Sequence, residues 1–363
     1  MTNRKVPKYM QLKQELLGWL ESGKLQTGKQ FPSENELADQ FGLSRQTVRQ
    51  TFAELEREGW LERIQGKGTF ARNPQRREGE QVKTIGIITT YISDYIFPHI
   101  VRGAEAELRS KGYRLLLGST DNDKAKEMEN LKLMFSQPLS GLIIEPTRSA
   151  EGNPNLRYFL DLQERGIPFL MINEKYRELE CPCLKVDDEQ GGYTAVRHLA
   201  DLGHTCIAGF FKTDDLQGVG RLKGFLAAHR DRSLSAASGR VITYATHEKQ
   251  DLPHREALRL LRLPEAERPS AFVCYNDELA VRLMEAVAEC GLKVPEDISV
   301  IGFDDSSLAV ATGIKLTTLT HPKTVMGEAA ARQLIDMIEQ GVDFGDTVYE
   351  PELIERDSVA ARA

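Results

Sequence analysis

Arg45, Gln46 and Arg49 stand close together in the string Leu-Ser-Arg-Gln-Thr-Val-Arg that ends at Arg49. An arginine fork matches the O6 and N7 edge of guanine, and a glutamine amide matches adenine. The apolar residues beside them, Val48, Phe52 and Leu55, recur at i, i+4 and i+7. That spacing gives a helix with a buried stripe and leaves Arg45, Gln46 and Arg49 on its other faces. Further on, Gln65-Gly66-Lys67-Gly68 joins two short strand-like runs. Glycines at such a tip let the backbone approach a phosphate or the minor-groove floor, and Lys67 adds charge. Each feature alone is common on a solvated surface. The order in which they come is what points to DNA.

A second set of polar residues follows apolar runs later in the chain. Tyr95 lies in the loop after the first run. Glu145 follows Gly-Leu-Ile-Ile and Asn173 follows Phe-Leu-Met-Ile. Asn276-Asp277 follows Phe-Val-Cys-Tyr, and Asp304-Asp305 follows Ser-Val-Ile-Gly-Phe. A buried polyol needs this mixture: carboxylate and amide oxygens to accept from hydroxyls, an arginine to donate, and an aromatic face for the C–H side of a ring. An Asn or Asp directly after a strand also commonly caps the next helix.

Two kinds of architecture must position these groups. Over residues 1–73 the pattern predicts three helices and a hairpin. Leu12, Leu16, Leu17 and Leu20 stripe a helix over about 8–22 that Gly23 ends. Ser33 and Glu36 form a capping box for a second, short helix with Leu37 and Phe41 inward, stopped at Gly42. Ser44 caps the third. Strands over 60–64 and 69–72 close the unit. A short helix, a tight turn and a second helix make a helix-turn-helix, whose second helix enters the major groove. Residues 74–82 are polar, hold Pro74 and Gly79, and read as a linker. From 83 to 363 strands and helices alternate, among them helices predicted over 98–111, 192–202 and 220–230. Near-continuous apolar strands separated by helices imply parallel sheets covered on both faces. Two successive runs of such units predict two doubly wound lobes that share a cleft at the carboxyl ends of their strands.

Charge is divided in the same way. Residues 1–80 hold 14 Lys+Arg and 11 Asp+Glu, the rest 33 and 43. Only the N-terminal part is therefore suited to phosphate, although the whole chain carries −7.

The strings Pro-Ser-Glu-x-Glu-Leu, Leu-Ser-Arg-x-Thr-Val-Arg, Gly-Trp-Leu and Gln-Gly-Lys-Gly-Thr-Phe over residues 7–72 resemble the winged helix-turn-helix domain of the GntR family. The resemblance implies DNA contacts from Glu34, Ser44, Arg45, Thr47, Arg49, Gln65, Gly66, Gly68 and Thr69. It places Gln46 at the variable, specificity-setting position and implies a homodimer on a near-palindromic double-stranded operator. The later strings Arg-Leu-Lys-Gly-Phe (221–225), Cys-Tyr-Asn-Asp-Glu-Leu-Ala and Val-Ile-Gly-Phe-Asp-Asp resemble the effector domain of the LacI/GalR repressors, which is itself similar to periplasmic sugar-binding proteins. This likeness spans about 83–345. It implies a sugar held by Arg221, Asn276 and Asp304. By position in strand-end loops, Glu145, Asn173 and His321 join them, with Tyr95 and Phe97 as an aromatic wall. As a whole the chain resembles the regulators that join these two modules, which implies repression and L-arabinose as effector. The polar residues themselves do not tell arabinose from another small sugar. One departure from the LacI pattern is that the head is of GntR type, with no LacI-type helix-turn-helix or hinge helix.

Other classes are disfavoured. There is no G-x-x-x-x-G-K-[ST], G-x-S-x-G or H-E-x-x-H string, so no enzyme, cofactor or metal is expected. Cys181-Pro-Cys183 has no second pair or nearby His to complete a zinc site, and the five cysteines are expected as reduced thiols. No apolar run approaches the roughly 20 residues of a membrane helix. The first residues lack an apolar signal core, so a cytoplasmic protein is expected.

Overall fold

The computed structural model describes residues 7–21, 25, 29–64, 68–71, 83–93, 95–236 and 238–362. The chain divides into two compact units, Met1–Gln81 and Val82–Ala363.

In the first unit, α1 (Lys8–Glu21), α2 (Glu34–Phe41) and α3 (Arg45–Arg57) precede β1 (Leu61–Ile64) and β2 (Gly68–Ala71). Both predicted caps are present. Ser33 Oγ accepts from Glu36 N–H while the Glu36 carboxylate accepts from Ser33 N–H at 2.7 Å. Ser44 Oγ accepts from Thr47 N–H. Gly42 takes the left-handed conformation that turns the chain between α2 and α3. Leu12, Leu16, Leu37, Val48, Phe52, Leu55 and Leu61 form one core. The strands pair antiparallel, with Leu61 opposite Ala71 and Ile64 opposite Gly68. The wing tip, Gln65, Gly66 and Lys67, and the linker 74–82 lie outside the described residues.

The second unit opens with β3 (Thr84–Thr89), α4 (Phe97–Ser110), β4 (Arg114–Ser119), α5 (Lys124–Phe135), β5 (Gly141–Ile144), α6 (Leu156–Glu164), β6 (Phe169–Ile172) and β7 (Cys183–Val186). Next come α7 (Asp188–Asp201), β8 (Ile207–Lys212), α8 (Leu216–Asp231), β9 (Val241–Tyr244), α9 (Leu252–Leu261), β10 (Ala271–Cys274), α10 (Asp277–Glu289) and β11 (Ser299–Asp304). The chain finishes with α11 (Leu308–Ala311), β12 (Thr317–Thr320), α12 (Lys323–Gln340), β13 (Thr347–Tyr349) and β14 (Leu353–Ile354).

Two six-stranded sheets result, ordered β4-β3-β5-β6-β7-β13 and β9-β8-β10-β11-β12-β14. Every pairing in them is parallel except β12 with β14. Each order reverses beside its first strand, between β3 and β5 and between β8 and β10. Such switch points open a crevice at the strands' carboxyl ends. The chain passes between the lobes three times: at Asp187, at His321-Pro322, and at Glu350–Glu352. The second passage returns α12 to the first lobe, where it packs on α4 and β5.

Two helices begin earlier than their glycines suggest. α7 starts at Asp188 because Asp187 caps it, and α8 at Leu216 because Asp215 accepts from Gly218 N–H at 2.7 Å. Their glycines are there for contact between the helices. A Cβ on Gly192 would lie 2.1 Å from the Arg221 carbonyl oxygen, and one on Gly224 1.8 Å from that of Glu189. Gly224→Ala is therefore expected to force α7 and α8 apart at a cost of about 1–3 kcal/mol, read as a lower urea midpoint.

Candidate functional site

Arg45, Gln46 and Arg49 are all exposed on α3. Ser44 and Thr47 share a hydroxyl contact of 2.8 Å at its start. Glu34, at the start of α2, lies between two cations. Arg49 donates to its Oε2 at 3.1 and 3.2 Å, and Arg63 of β1 to its Oε1 at 3.3 Å. Its carboxylate thus holds two arginines in place in the DNA-free chain. A bare carboxylate would repel phosphate. Arg63 went unnoticed in the sequence because a lone arginine in a strand carries no spacing signal. Thr69 is half-buried, and its carbonyl accepts from Phe31 N–H at 2.7 Å.

In the second unit a cavity of about 370 Å³ lies at the two switch points, within the range of small-molecule sites. Tyr95, Phe97, Glu145, Arg221, Asn276 and Asp304 line it. Asn173 and His321 do not; they stand behind Glu145. Asn173 Nδ2 donates to Glu145 Oε1 at 2.7 Å, and His321 Nε2 lies 3.0 Å from Asn173 Oδ1. The other Glu145 oxygen accepts from Thr90 N–H (2.8 Å) and Thr90 Oγ1 (2.6 Å). Burial raises the Glu145 pKa against these donors, and burial pushes His321 down to about 4, so its imidazole is neutral at physiological pH.

Arg221 is 2% exposed. Its Nε donates to Asp188 Oδ1 (2.7 Å), Nη1 to the Tyr275 carbonyl (2.6 Å) and Nη2 to Asp304 Oδ1 (3.4 Å), with the guanidinium 3.5 Å over the Phe303 ring. The two buried carboxylates outweigh its own burial and hold it cationic. Asn276 has two contacts that matter here. It lines the cavity, and its Oδ1 caps α10 by accepting from Leu279 N–H. Lys212 and Asp215 also line the cavity, paired at 2.7 Å, with the Tyr275 hydroxyl 2.9 Å from Asp215. Charged residues right after β8 repeat the strand-end pattern and could have been read from it. Asp188 could not: no sequence signal brings it to Arg221.

Asp277 is buried behind Asp304, accepting from Thr318 Oγ1 (2.5 Å) and Ser306 N–H (2.7 Å). Burial, then the neighbouring Asp304, push its pKa up to about 7. A raised carboxyl contributes stability that is complete below its ordinary value and is lost as pH rises through about 7. Asp277→Asn should therefore gain stability relative to the parent between about pH 5 and about pH 8 in urea melts. A parallel pair of curves would refute this.

Comparisons with known proteins give the family. The description "Bacterial regulatory proteins, gntR family" matches residues 8–71, and "Periplasmic binding protein-like domain" matches 196–359. An arabinose metabolism transcriptional repressor of Geobacillus stearothermophilus is 58% identical over 360 residues, covering 99% of both chains. One of Halalkalibacterium halodurans is 45% identical, covering 97% of this chain and 96% of its own. The chain belongs to this family of transcriptional repressors. Among solved structures, a LacI family transcriptional regulator of Enterococcus faecium with bound ribose matches the repressor with a TM-score of 0.64 and 25% identity, covering 77% of this chain and 100% of the other. A LacI transcriptional regulator of a Rhodococcus species matches with a TM-score of 0.66 and 27% identity over 77% and 99%. The repressor thus joins a GntR-type head to a LacI-like sensing fold. Among the described residues no helix is long and apolar enough to cross a membrane.

Proposed function

We propose that the repressor acts in the cytoplasm as a homodimer on a near-palindromic operator of sugar-utilisation genes, and that L-arabinose bound in the cleft releases it. The boundaries that go with this reading are a DNA-binding head over 1–73, a linker over 74–82 and an effector and dimerisation domain over 83–363. The observation that carries it is the cavity lined by the buried carboxylates of Glu145 and Asp304 together with the Arg221 fork. Carboxylates accept from sugar hydroxyls, and the five N–H donors of Arg221 outnumber its three partners among the described residues. Asn276 adds an amide, and Tyr95 and Phe97 add ring faces. Asn173 and His321 orient Glu145 from behind. The names of the two relatives favour arabinose over other small sugars. On the operator, Arg45, Gln46 and Arg49 read bases, while Ser44, Thr47, Thr69 and the wing residues Gln65, Gly66, Lys67 and Gly68 approach the backbone or minor groove. Arg63 joins them as a phosphate contact. The function is one of binding and release, with no catalytic step.

Titration calorimetry of the purified chain with L-arabinose, and with D-xylose, D-ribose, D-galactose and a nucleoside as controls, tests the effector. Heat with arabinose alone supports the reading. Heat with another ligand alone keeps the architecture and replaces the effector.

A further inference from the structure

Asp304 and Asp305 both hold positive φ angles, +96° and +44°. Residues with a Cβ keep that conformation only where their surroundings impose it. Here the ammonium of Lys323 donates to the Asp304 carbonyl at 2.5 Å and to the Asp305 carbonyl at 2.8 Å. Arg356 clamps the Asp305 carboxylate at 2.6 Å. The loop belongs to the second lobe. Lys323, in contrast, is the first residue of α12, which packs in the first lobe.

The first lobe touches Asp304 at a second point. The Tyr95 hydroxyl donates to Asp304 Oδ2 at 2.6 Å, shares its proton with the Phe303 carbonyl at 2.9 Å, to which it can turn when displaced, and accepts from Asp277 N–H at 3.1 Å. Tyr95, itself at φ +63°, stands two residues before α4. So α4 reaches the carboxylate of Asp304 and α12 reaches its carbonyl. These two helices meet backbone to backbone. A Cβ on Gly103 of α4 would lie 2.3 Å from the Thr324 carbonyl oxygen, and one on Gly327 of α12 would lie 2.0 Å from that of Ile100. With no side-chain layer between them to slip, α4 and α12 move as one body. A ligand hydroxyl that reaches Asp304 Oδ2 meets the Tyr95 hydroxyl already there.

We infer that Asp304 is the relay from effector to first lobe: a ligand hydroxyl displaces Tyr95 from its carboxylate, and Lys323 transmits the resulting shift of the strained loop to the α4–α12 body. Lys323 is a positioning residue that touches no ligand, and Tyr95 competes with the ligand for Asp304. The inference rests on the cleft being the effector site.

The test uses the full chain, L-arabinose, and an operator duplex selected by the wild-type protein from random sequence. The coupling ratio is the operator dissociation constant with saturating arabinose divided by that without. Lys323→Met is expected to keep arabinose affinity and sugar-free operator affinity within about threefold while the ratio falls about tenfold. Lys323→Arg, which can also donate to two carbonyls, should restore most of it. Tyr95→Phe should bind arabinose about threefold or more tightly, because the competitor is gone; a merely structural role would weaken binding. An unchanged ratio in Lys323→Met, or arabinose binding lost with it, overturns the relay. Weaker arabinose binding in Tyr95→Phe overturns the competition, and that variant decides alone if both Lys323 variants fail to fold. A wild-type protein that gives no heat with arabinose overturns the effector reading itself, a different outcome from wild-type binding with an unchanged variant ratio.

Discussion

Arg221→Ala is expected to abolish effector binding and to destabilise the second unit by about 3–5 kcal/mol. The size follows from what is left behind. Arg221 neutralises Asp188 and Asp304, each 4% exposed or less. Without it two carboxylates remain buried near Asp277, lacking the guanidinium that pairs with both. Part of the loss should be recovered at lower pH, where the orphaned acids take up protons. The head has its own core, so operator binding at low temperature should survive while the response to sugar disappears. Calorimetry, thermal melts at two pH values and operator binding separate these effects. An Arg221→Ala protein that melts like the parent and is still released by sugar would remove Arg221 from both roles.

Arg45→Ala and Arg49→Ala are each expected to weaken operator binding by about 1–3 kcal/mol, roughly ten- to hundredfold, and to relax base preference at one position. Neither substitution should change stability much. Arg45 has exposed surroundings, whereas Arg49 forms an ion pair with Glu34 in which its own side chain is 68% exposed. Exposed pairs of this kind contribute little, so Arg49→Ala should leave the melting temperature nearly unchanged. Glu34→Ala releases Arg49 from its ion pair and leaves Arg63 paired with Glu56. It should loosen specificity more than affinity, because the positive charge remains but is no longer aimed. Arg63→Ala, by contrast, should weaken all sequences alike and reduce the salt slope by about one. Binding titrations on operator and scrambled duplexes at two salt concentrations distinguish these outcomes.

Much of this could be read from the chain, for identifiable reasons. The caps Ser33–Glu36 and Ser44, and the stripe Val48, Phe52 and Leu55, are local signals, and local signals survive folding. Parallel strands buried on both faces announce themselves as unbroken apolar runs, so β3, β5, β6, β10 and β11 lay where expected. Helix starts were displaced where glycine had two meanings. Gly192 and Gly224 look like interruptions in a sequence but serve close helix contact. The site was legible wherever a polar residue directly follows a strand. It was illegible where the partner arrives from another element: Asp188 at Arg221, Arg63 at Glu34, and Lys323 at Asp304. His321 and Asn173 follow strands as the pattern expects, yet their side chains meet Glu145 and each other rather than the cavity, since a strand-end position does not say which way a side chain faces. The last turn of the chain, with α12 returning to the first lobe and β14 pairing antiparallel, depends on contacts across most of the sequence.

Sugar and operator are expected to oppose each other through one protein. Operator affinity measured by fluorescence anisotropy with and without saturating L-arabinose tests it most directly. The expected result is weaker operator binding in arabinose, with an equal fall in arabinose affinity when operator is saturating, because the coupling is reciprocal. Operator affinity that is the same with and without a sugar that demonstrably binds would contradict it.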